Sequence, residues 1–407
     1  MSEPVRIGLL GHGTVGAAFA GLLAERADAV EAATGRRPEL AGTLTRGAGD
    51  FGEIVERSDL IVELIGGTDP ARTYVLDALR AGRPVVTANK QLLAQHGEEL
   101  FGVAREAGVQ LRFEAAVAGV IPIVRTIQES FGVTEIDKVF GIVNGTTNFI
   151  LSEMAASGAA YEQVLARAQE LGYAEADPSA DVNGADAAAK MAILARLAFH
   201  TAVTLDQVAY EGIEAIQPDD LAYAKELDLS LKLLGVAERR DGGISVRVFP
   251  CFLYGGHPLA PVGGPFNAVM VEAPAITEVT MSGPGAGGVE TASAVLGDVV
   301  SILSGDAPVH EVREQLPLVA DVTSSFYLHL EVADEPGVLA RIAQVLGENE
   351  ISVKSVVQRG IGDDARLVMV VHECLESRFA AAVEEIGRLA DIRSEPRFIR
   401  VIEEEFV

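Results

Sequence analysis

Lysine is rare in this sequence: six of its 32 basic side chains are lysines and the rest are arginines. A lysine inside a motif therefore points to a need for an amine that can lose and regain its proton, which a guanidinium does not do. Two of the six stand in such settings. Thr87-Ala88-Asn89-Lys90 lies just past the C-terminal end of an expected parallel strand, where open α/β sheets bind their ligands. The competing reading of Lys90 is a surface lysine at a helix start. Asp186 and Lys190 are four residues apart on an expected helix and so share a face. Such pairs are most often solvated and contribute a few tenths of a kcal/mol. Between Ala187 and Phe199, however, this helix carries only Arg196 as a further charge, on roughly the opposite face. A pair on so apolar a helix is expected to be partly buried, at a desolvation cost that asks for a reason. An amine held by a carboxylate for proton transfer is one.

A second constellation concerns a dinucleotide. Gly11-His12-Gly13-Thr14-Val15-Gly16 follows a strand-like apolar run and opens a helical pattern. In that context the first glycine allows a tight turn, Gly13 lets a pyrophosphate approach the backbone, and Gly16 lets helix pack on strand. The helix start, with Thr14 and Val15, adds amide donors for phosphate. A glycine turn in an ordinary α/β protein is the bland alternative. NAD-selective sites place an acid at the end of the second strand. Here that strand, 40–45, has none and finishes in Arg46, which can pair with a 2′-phosphate. NADP is expected ahead of NAD, with a plain surface arginine as the other reading.

The elements that must position these groups follow from pattern. Apolar strands at 5–10, 59–65, 84–87 and 109–113 alternate with helices at 14–26, 71–81 and 92–107, which predicts a parallel sheet covered on both faces. Residues 1–130 thus read as a Rossmann-type, doubly wound nucleotide-binding domain of an α/β protein. From about 135, strands at 139–143 and 245–253 alternate with helices at 148–156, 161–171 and 185–199, giving a second, α+β domain over 131–318. A Gly/Pro-rich stretch at 282–288 leads into a helix at 291–303, which is expected to return to the first domain. Over 324–407 the order is strand 326–332, helix 337–348, strand 351–358, turn 360–364, strand 366–371, helix 377–389 and strand 398–402. This βαββαβ order is ferredoxin-like and argues for a separate module.

Composition sets outer limits. With 59 acidic against 32 basic residues in 407, the net charge of −27 disfavours nucleic acid, whose phosphates need clustered Lys and Arg. No apolar stretch approaches the roughly 20 residues of a membrane span. The N-terminus lacks a secretory pattern, and the two cysteines, Cys251 and Cys374, make neither a disulfide framework nor a zinc site. The expectation is a soluble cytoplasmic protein.

Taken in order, Gly13–Gly16, Thr87–Lys90, Glu114-Ala115-Ala116-Val117-Ala118-Gly119, Val143-Asn144-Gly145-Thr146-Thr147-Asn148, Gly172–Pro178 and Asp181…Asp186…Lys190 resemble the monofunctional homoserine dehydrogenases that end in an ACT domain. The resemblance spans nearly all of residues 5–305. It implies NAD(P)-dependent interconversion of homoserine and aspartate semialdehyde on the route to threonine and methionine, by a homodimer or higher homo-oligomer. It also implies that 131–318 is the catalytic and dimerisation domain. Lys190 would be the general acid/base and Lys90 a second amine in the site, near the cofactor. Glu175 and Asp186 would hold the substrate, and Gly172 and Gly285 would lie beside the cofactor. A monovalent cation, Na⁺ or K⁺, would sit on Glu114 and the carbonyls of Val117, Gly119 and Ile121. The sequence departs from the family at Val289-Glu290, where a Pro-Thr pair is expected after the Gly285 turn. Asp334-Glu335-Pro336-Gly337-Val338-Leu339 resembles the ACT domains that bind amino acids at shared interfaces, with threonine the expected effector; a module used only for association is the alternative. Two rival functions stay in view. One is another amino-acid-pathway dehydrogenase with an ACT tail, which the Glu175…Asp186…Lys190 block disfavours. The other is a non-catalytic dinucleotide sensor, which the two motif lysines disfavour.

Overall fold

The computed structural model describes residues 4–305, 312–362 and 365–402. Its first unit runs β1 (Val5–Leu10), α1 (Thr14–Thr34), β2 (Pro38–Leu44), α2 (Phe51–Arg57), β3 (Leu60–Glu63), α3 (Ala71–Arg80), β4 (Val85–Thr87), α4 (Lys90–Ala107) and β5 (Leu111–Arg112). The five strands are parallel in the order β2-β1-β3-β4-β5. The order reverses at β1 and β3, and there the crevice beyond the strand ends becomes a ligand site. α1 runs eight residues past the expected end at Arg26. Nothing in its alanine-rich sequence breaks the helix before Gly35, whose φ of 72° closes it.

The second unit begins with α5 (Ile123–Arg125), a π turn at Thr126–Ser130, β6 (Lys138–Ile142), α6 (Gly145–Ser157), α7 (Tyr161–Glu170), α8 (Ser179–Val182) and α9 (Ala185–Phe199). It continues with β7 (Ala209–Tyr210), α10 (Pro218–Glu226), β8 (Leu229–Arg240), β9 (Gly243–Tyr254), β10 (Phe266–Ala273), β11 (Thr277–Pro284) and α11 (Gly288–Ser304). Strands β11-β10-β6-β8-β9 form an antiparallel sheet, and β7 lies parallel to β9. α9 packs on this sheet and on α4 and is buried from Asp186 to Phe199 apart from Lys190. α11 leaves its own unit: Ala292, Val295, Leu296 and Val299 share a core with Ile7, Leu9, Phe19 and Leu23 of β1 and α1.

The C-terminal unit has β12 (Thr323–Glu331), α12 (Val338–Glu348), β13 (Val353–Arg359), β14 (Arg366–Leu375), α13 (Glu376–Gly387) and β15 (Arg397–Ile402). The order β15-β12-β14-β13 is that of a βαββαβ fold. The expected turn at 360–364 ends on residues 363–364, outside the described residues. Phe326, Leu328 and Leu330 face α12 and α13 in a core of their own. Tyr327, on the opposite face of the strand, joins the main core instead. The module is therefore not a separate sheet. Arg400, Val401 and Ile402 of β15 pair in parallel with Cys251, Phe252 and Leu253 of β9, so both sheets form one continuous surface. Among the described residues no helix is long and apolar enough to cross a membrane.

Candidate active site

The glycine turn has the shape its sequence predicts. Gly11 has φ 98°, and a Cβ there would lie 2.6 Å from the carbonyl oxygen of Leu64; at Gly16 it would lie 2.2 Å from that of Gly11. Only glycine fits either place. At Gly13 a Cβ would meet nothing within 4 Å, so this face is open to a ligand. Gly13 caps α1 without a side-chain bond, which leaves the first-turn amides at Thr14 and Val15 for an anion. Gly288, at the start of α11, comes against Thr14, and the Ala118–Gly119 turn comes against Gly285. The Gly285 loop thus borders the glycine turn. Beside it stands the departing sequence: Glu290 folds back onto Gly287, and Val289 is exposed. Arg46 is exposed in the turn after β2, two residues past the end of the strand beside β1. Gly172, with φ 78°, closes α7 and has open space around it.

Lys90, Asp186 and Lys190 come together at the C-terminal edge of the parallel sheet. Asn89 caps α4 by accepting from the Leu92 amide, which makes Lys90 the first residue of the helix. A cation there opposes the positive helix end, so position alone does not favour it. What holds it is Asp186, whose Oδ1 lies 2.9 Å from Lys90 Nζ while Oδ2 lies 2.7 Å from Lys190 Nζ. Lys190 also donates to the carbonyl of Val143 at 2.7 Å. The Asp186 and Lys190 side chains are 8% and 12% exposed, so the pair is not the solvated contact its spacing most often makes. Burial opposes ionisation of Asp186, but the charges of Lys190 and Lys90 outweigh it and hold the carboxyl well below its ordinary range. Burial likewise works against the charge of Lys90. Asp186, Asp181 and Glu175 overcome it and raise the amine above its usual value.

Two residues quoted only as part of motifs prove to organise this cluster. Asn144 caps α6 through its side-chain oxygen and donates its amide to Asp181 at 2.7 Å and to Asp186 at 2.9 Å. Asp181 is pushed up by burial and by the charge of Asp186. An Asn directly after a strand and three residues before a buried Thr is an N-cap signal, and it marks where the Asn must point. Glu175 is exposed on the loop after α7, near enough for its charge to act on Lys90.

Glu114 is buried at the end of β5. Its carboxylate accepts from the amides of Val124 and Arg125 at 2.8 and 2.9 Å, while its own amide donates to Asp298 of α11. Burial first, then the charge of Asp298, pushes Glu114 up to about 7, and burial pushes Asp298 up to about 6. Ala118 and Gly119 both have positive φ, 57° and 60°, and turn the backbone sharply between Val117 and Ile121. The carbonyl of Ile121 accepts from Ile123, and those of Val117 and Gly119 accept no backbone bond among the described residues. Among those residues no cluster of three His, Cys, Asp or Glu could hold a metal.

Comparison with known proteins covers most of the chain. Residues 122–300 match the family model for homoserine dehydrogenase, 11–114 that for the homoserine dehydrogenase NAD-binding domain, and 327–391 that for the ACT domain. A homoserine dehydrogenase from Corynebacterium glutamicum is 44% identical, with 93% of this chain and 92% of that protein covered. The crystal structure of a homoserine dehydrogenase from Thiobacillus denitrificans superposes with a TM-score of 0.94 at 36% identity, over 98% of this chain and 99% of the other. A hyperthermophilic archaeal homoserine dehydrogenase, solved in complex with NADPH, superposes with a TM-score of 0.65 at 26% identity, over 75% of this chain and 99% of that one.

Proposed function

This chain belongs to the homoserine dehydrogenase family, and from that premise we propose how its residues divide the work. The reaction is the NAD(P)-dependent interconversion of L-homoserine and L-aspartate 4-semialdehyde, a step toward threonine and methionine. The bound nicotinamide dinucleotide supplies or accepts the hydride at C4 of the substrate. Lys190 gives a proton to the aldehyde oxygen during reduction and takes it back from the hydroxyl during oxidation. Lys90 adds positive charge where the alkoxide develops. Asp186 keeps both amines in place, and Glu175 receives the ammonium group of the substrate at the exposed rim. The observation that carries this reading is the convergence of Lys90 and Lys190 on one buried carboxylate, within 3 Å of each. Lys190→Ala should lower turnover by at least about a hundredfold while dinucleotide affinity stays near wild type. A mutant with near-wild-type rates would remove Lys190 from the mechanism.

The dinucleotide is held by Gly11, Gly13, Thr14, Val15 and Gly16, with Gly172, Gly285 and Lys90 on its other sides. The open face at Gly13 and the unpartnered start of α1 fit a pyrophosphate. Arg46 favours NADP, and a similar archaeal enzyme has been solved with NADPH. A monovalent cation would be held by Glu114 and the carbonyls of Val117, Gly119 and Ile121. These are all oxygen donors, as a hard cation requires; Asp298 already pairs with Arg125 at 3.4 Å, whereas Glu114 makes no ion pair among the described residues. The ACT unit is the sensor, with threonine as effector at the Asp334–Gly337 turn, where Gly337 opens α12 with φ 94°. The enzyme works as a homodimer built on the second unit, as its family membership implies; sedimentation of the purified protein tests this.

A further inference from the structure

Beneath the cofactor crevice lies a buried carboxyl group that the proposed mechanism does not use. Glu63, the last residue of β3, is 0% exposed, and no basic side chain pairs with it among the described residues. Burial raises its pKa, and the hydrogen bonds it accepts work against that rise. Oε1 accepts from the amides of Ile65 at 2.7 Å and Gly66 at 3.2 Å, and Oε2 accepts from the Thr87 hydroxyl at 2.6 Å. The Thr87 oxygen in turn accepts from the Asn89 amide at 3.0 Å, and the Asn89 side chain donates to the carbonyl of Gly67 at 2.6 Å. The bonds close a ring that runs Glu63, Ile65-Gly66-Gly67, Asn89, Thr87 and back to Glu63.

The ring joins two loops with different tasks. The Leu64–Ile65 backbone is the wall against which Gly11 closes the glycine turn. Asn89 caps α4, and the next residue is Lys90. The amides of Ile65 and Gly66 can only donate, so Oε1 must accept, and the Thr87 hydroxyl, which already accepts from Asn89, completes the ring at Oε2. We propose that Glu63 is a positioning residue for the dehydrogenase reaction, locking the Lys90 loop to the cofactor loop so that the second amine stands at a fixed place relative to the dinucleotide. This rests on the assignment of Lys90 to the site.

The test uses the full-length chain. Glu63→Ala leaves the amides of Ile65 and Gly66 and the Thr87 hydroxyl without their acceptor and should lower kcat/KM for homoserine. Thr87→Val is the safer variant, since it keeps the side-chain shape and both amide bonds to Glu63 and cuts only the arm toward Lys90. It should lower kcat/KM for homoserine between about tenfold and a hundredfold, the effect of displacing a reacting group by an ångström or less. Dinucleotide affinity, read by quenching of the reduced cofactor's fluorescence, should stay within about twofold, and Thr87→Ser should restore activity. In a Lys90→Ala background Thr87→Val should cost less than about a further twofold, because the group it displaces is gone. If Thr87→Val costs the same fold with and without Lys90, or leaves kcat/KM unchanged, the positioning role is wrong. If Lys90→Ala alone keeps wild-type turnover, the assignment of Lys90 fails first and the role of Glu63 with it.

Discussion

Asp186→Asn is the substitution this site is least able to absorb. The carboxylate bridges Lys90 at 2.9 Å and Lys190 at 2.7 Å, and it accepts from Asn144 at 2.9 Å. Removing one partner from a wholly buried ion pair costs about 3–5 kcal/mol, because the remaining charge stays buried without compensation. Two features bring the figure to the lower end. Lys190 keeps the carbonyl of Val143 at 2.7 Å, and the Lys90 side chain, 38% exposed, is partly screened by water. The expected loss is about 3 kcal/mol, seen as a fall of several degrees in the thermal midpoint. The pH dependence has a definite sign. Burial alone would lower the Lys90 pKa, and Asp186, with Asp181 and Glu175, raises it above its ordinary value. The stability from that shift is full below the unfolded pKa of a lysine and is lost only as pH rises through the folded one. In the amide variant the balance moves toward burial, so the Lys90 pKa falls and its contribution is gone at neutral pH. Semialdehyde reduction, followed by nicotinamide absorbance against pH, should show turnover down at least about a hundredfold and the basic limb moved to lower pH. A variant within about 0.5 kcal/mol of wild type in urea unfolding, with an unmoved pH profile, would show that Asp186 holds nothing in place.

Arg46→Ala should weaken NADP⁺ more than NAD⁺ in direct binding, since only the former has a 2′-phosphate to lose; equal effects would show that Arg46 is not its ligand. Glu114→Gln should lower activity and remove any response to Na⁺ or K⁺, measured against a bulky organic cation at equal ionic strength. A fully active variant from an ion-insensitive wild type would show that no cation works there. Threonine should inhibit the full-length protein with a coupling of about 1–3 kcal/mol. Gly337→Val, which puts a branched side chain at φ 94° and within reach of Arg341, should abolish the inhibition while leaving basal turnover intact. Equal inhibition of both proteins would place the effect at the active site.

What the sequence reveals and what it hides divide along physical lines. The glycine turn is legible because its constraints are local: Gly11 and Gly16 are excluded volumes within one strand-turn-helix. Asp186 and Lys190 are legible because four residues span one helical turn, and the apolar surroundings of α9 foretell their burial. The bridge from Lys90 to Asp186 joins α4 to α9, and no periodicity encodes it; only the family resemblance brings the two lysines into one site. The same holds for Glu63, which reads as the end of an apolar strand and becomes a hub only through Thr87 of the neighbouring strand. In the second unit, strands β8, β10 and β11 escape the pattern. β8 is buried from Leu231 to Glu238, so it lacks the alternation that marks a half-exposed strand, and a buried lysine, Lys232, sits inside it. α4 begins two residues before the expected start because its cap, Asn89, belongs to the motif thought to precede the helix.

The seam between the ACT unit and the catalytic sheet determines how regulation can be studied. Glu376, the first residue of α13, accepts from Arg247 of β9 at 2.5 Å and from Arg400 of β15 at 2.8 and 2.9 Å. Arg400 also pairs with Glu211 at 2.9 Å, and both guanidinium groups lie over the ring of Phe249. The backbone of Glu211 presses on Gly184, which opens α9 two residues before Asp186, and the Ile213 amide donates to Val182 of α8. On the neighbouring face Tyr327 packs edge-on against Phe252, and Arg397 pairs with the buried Asp220 of α10. A chain cut near Leu318 would uncover the edge of β9 and the ring of Phe252, take Arg397 from Asp220, and take Glu376 from Arg247, which keeps Glu238 at 3.2 Å. Apolar surface and a strand edge opened to water in this way destabilise the sheet, and the damage would fall on the segments that carry Asp181, Asp186 and Lys190. A truncated chain is therefore expected to lose activity and stability whether or not the ACT unit senses an amino acid. Retention of wild-type kcat and thermal midpoint after truncation would refute this account of the seam. Substitutions confined to the Asp334–Gly337 turn leave the seam intact, and they separate sensing from support.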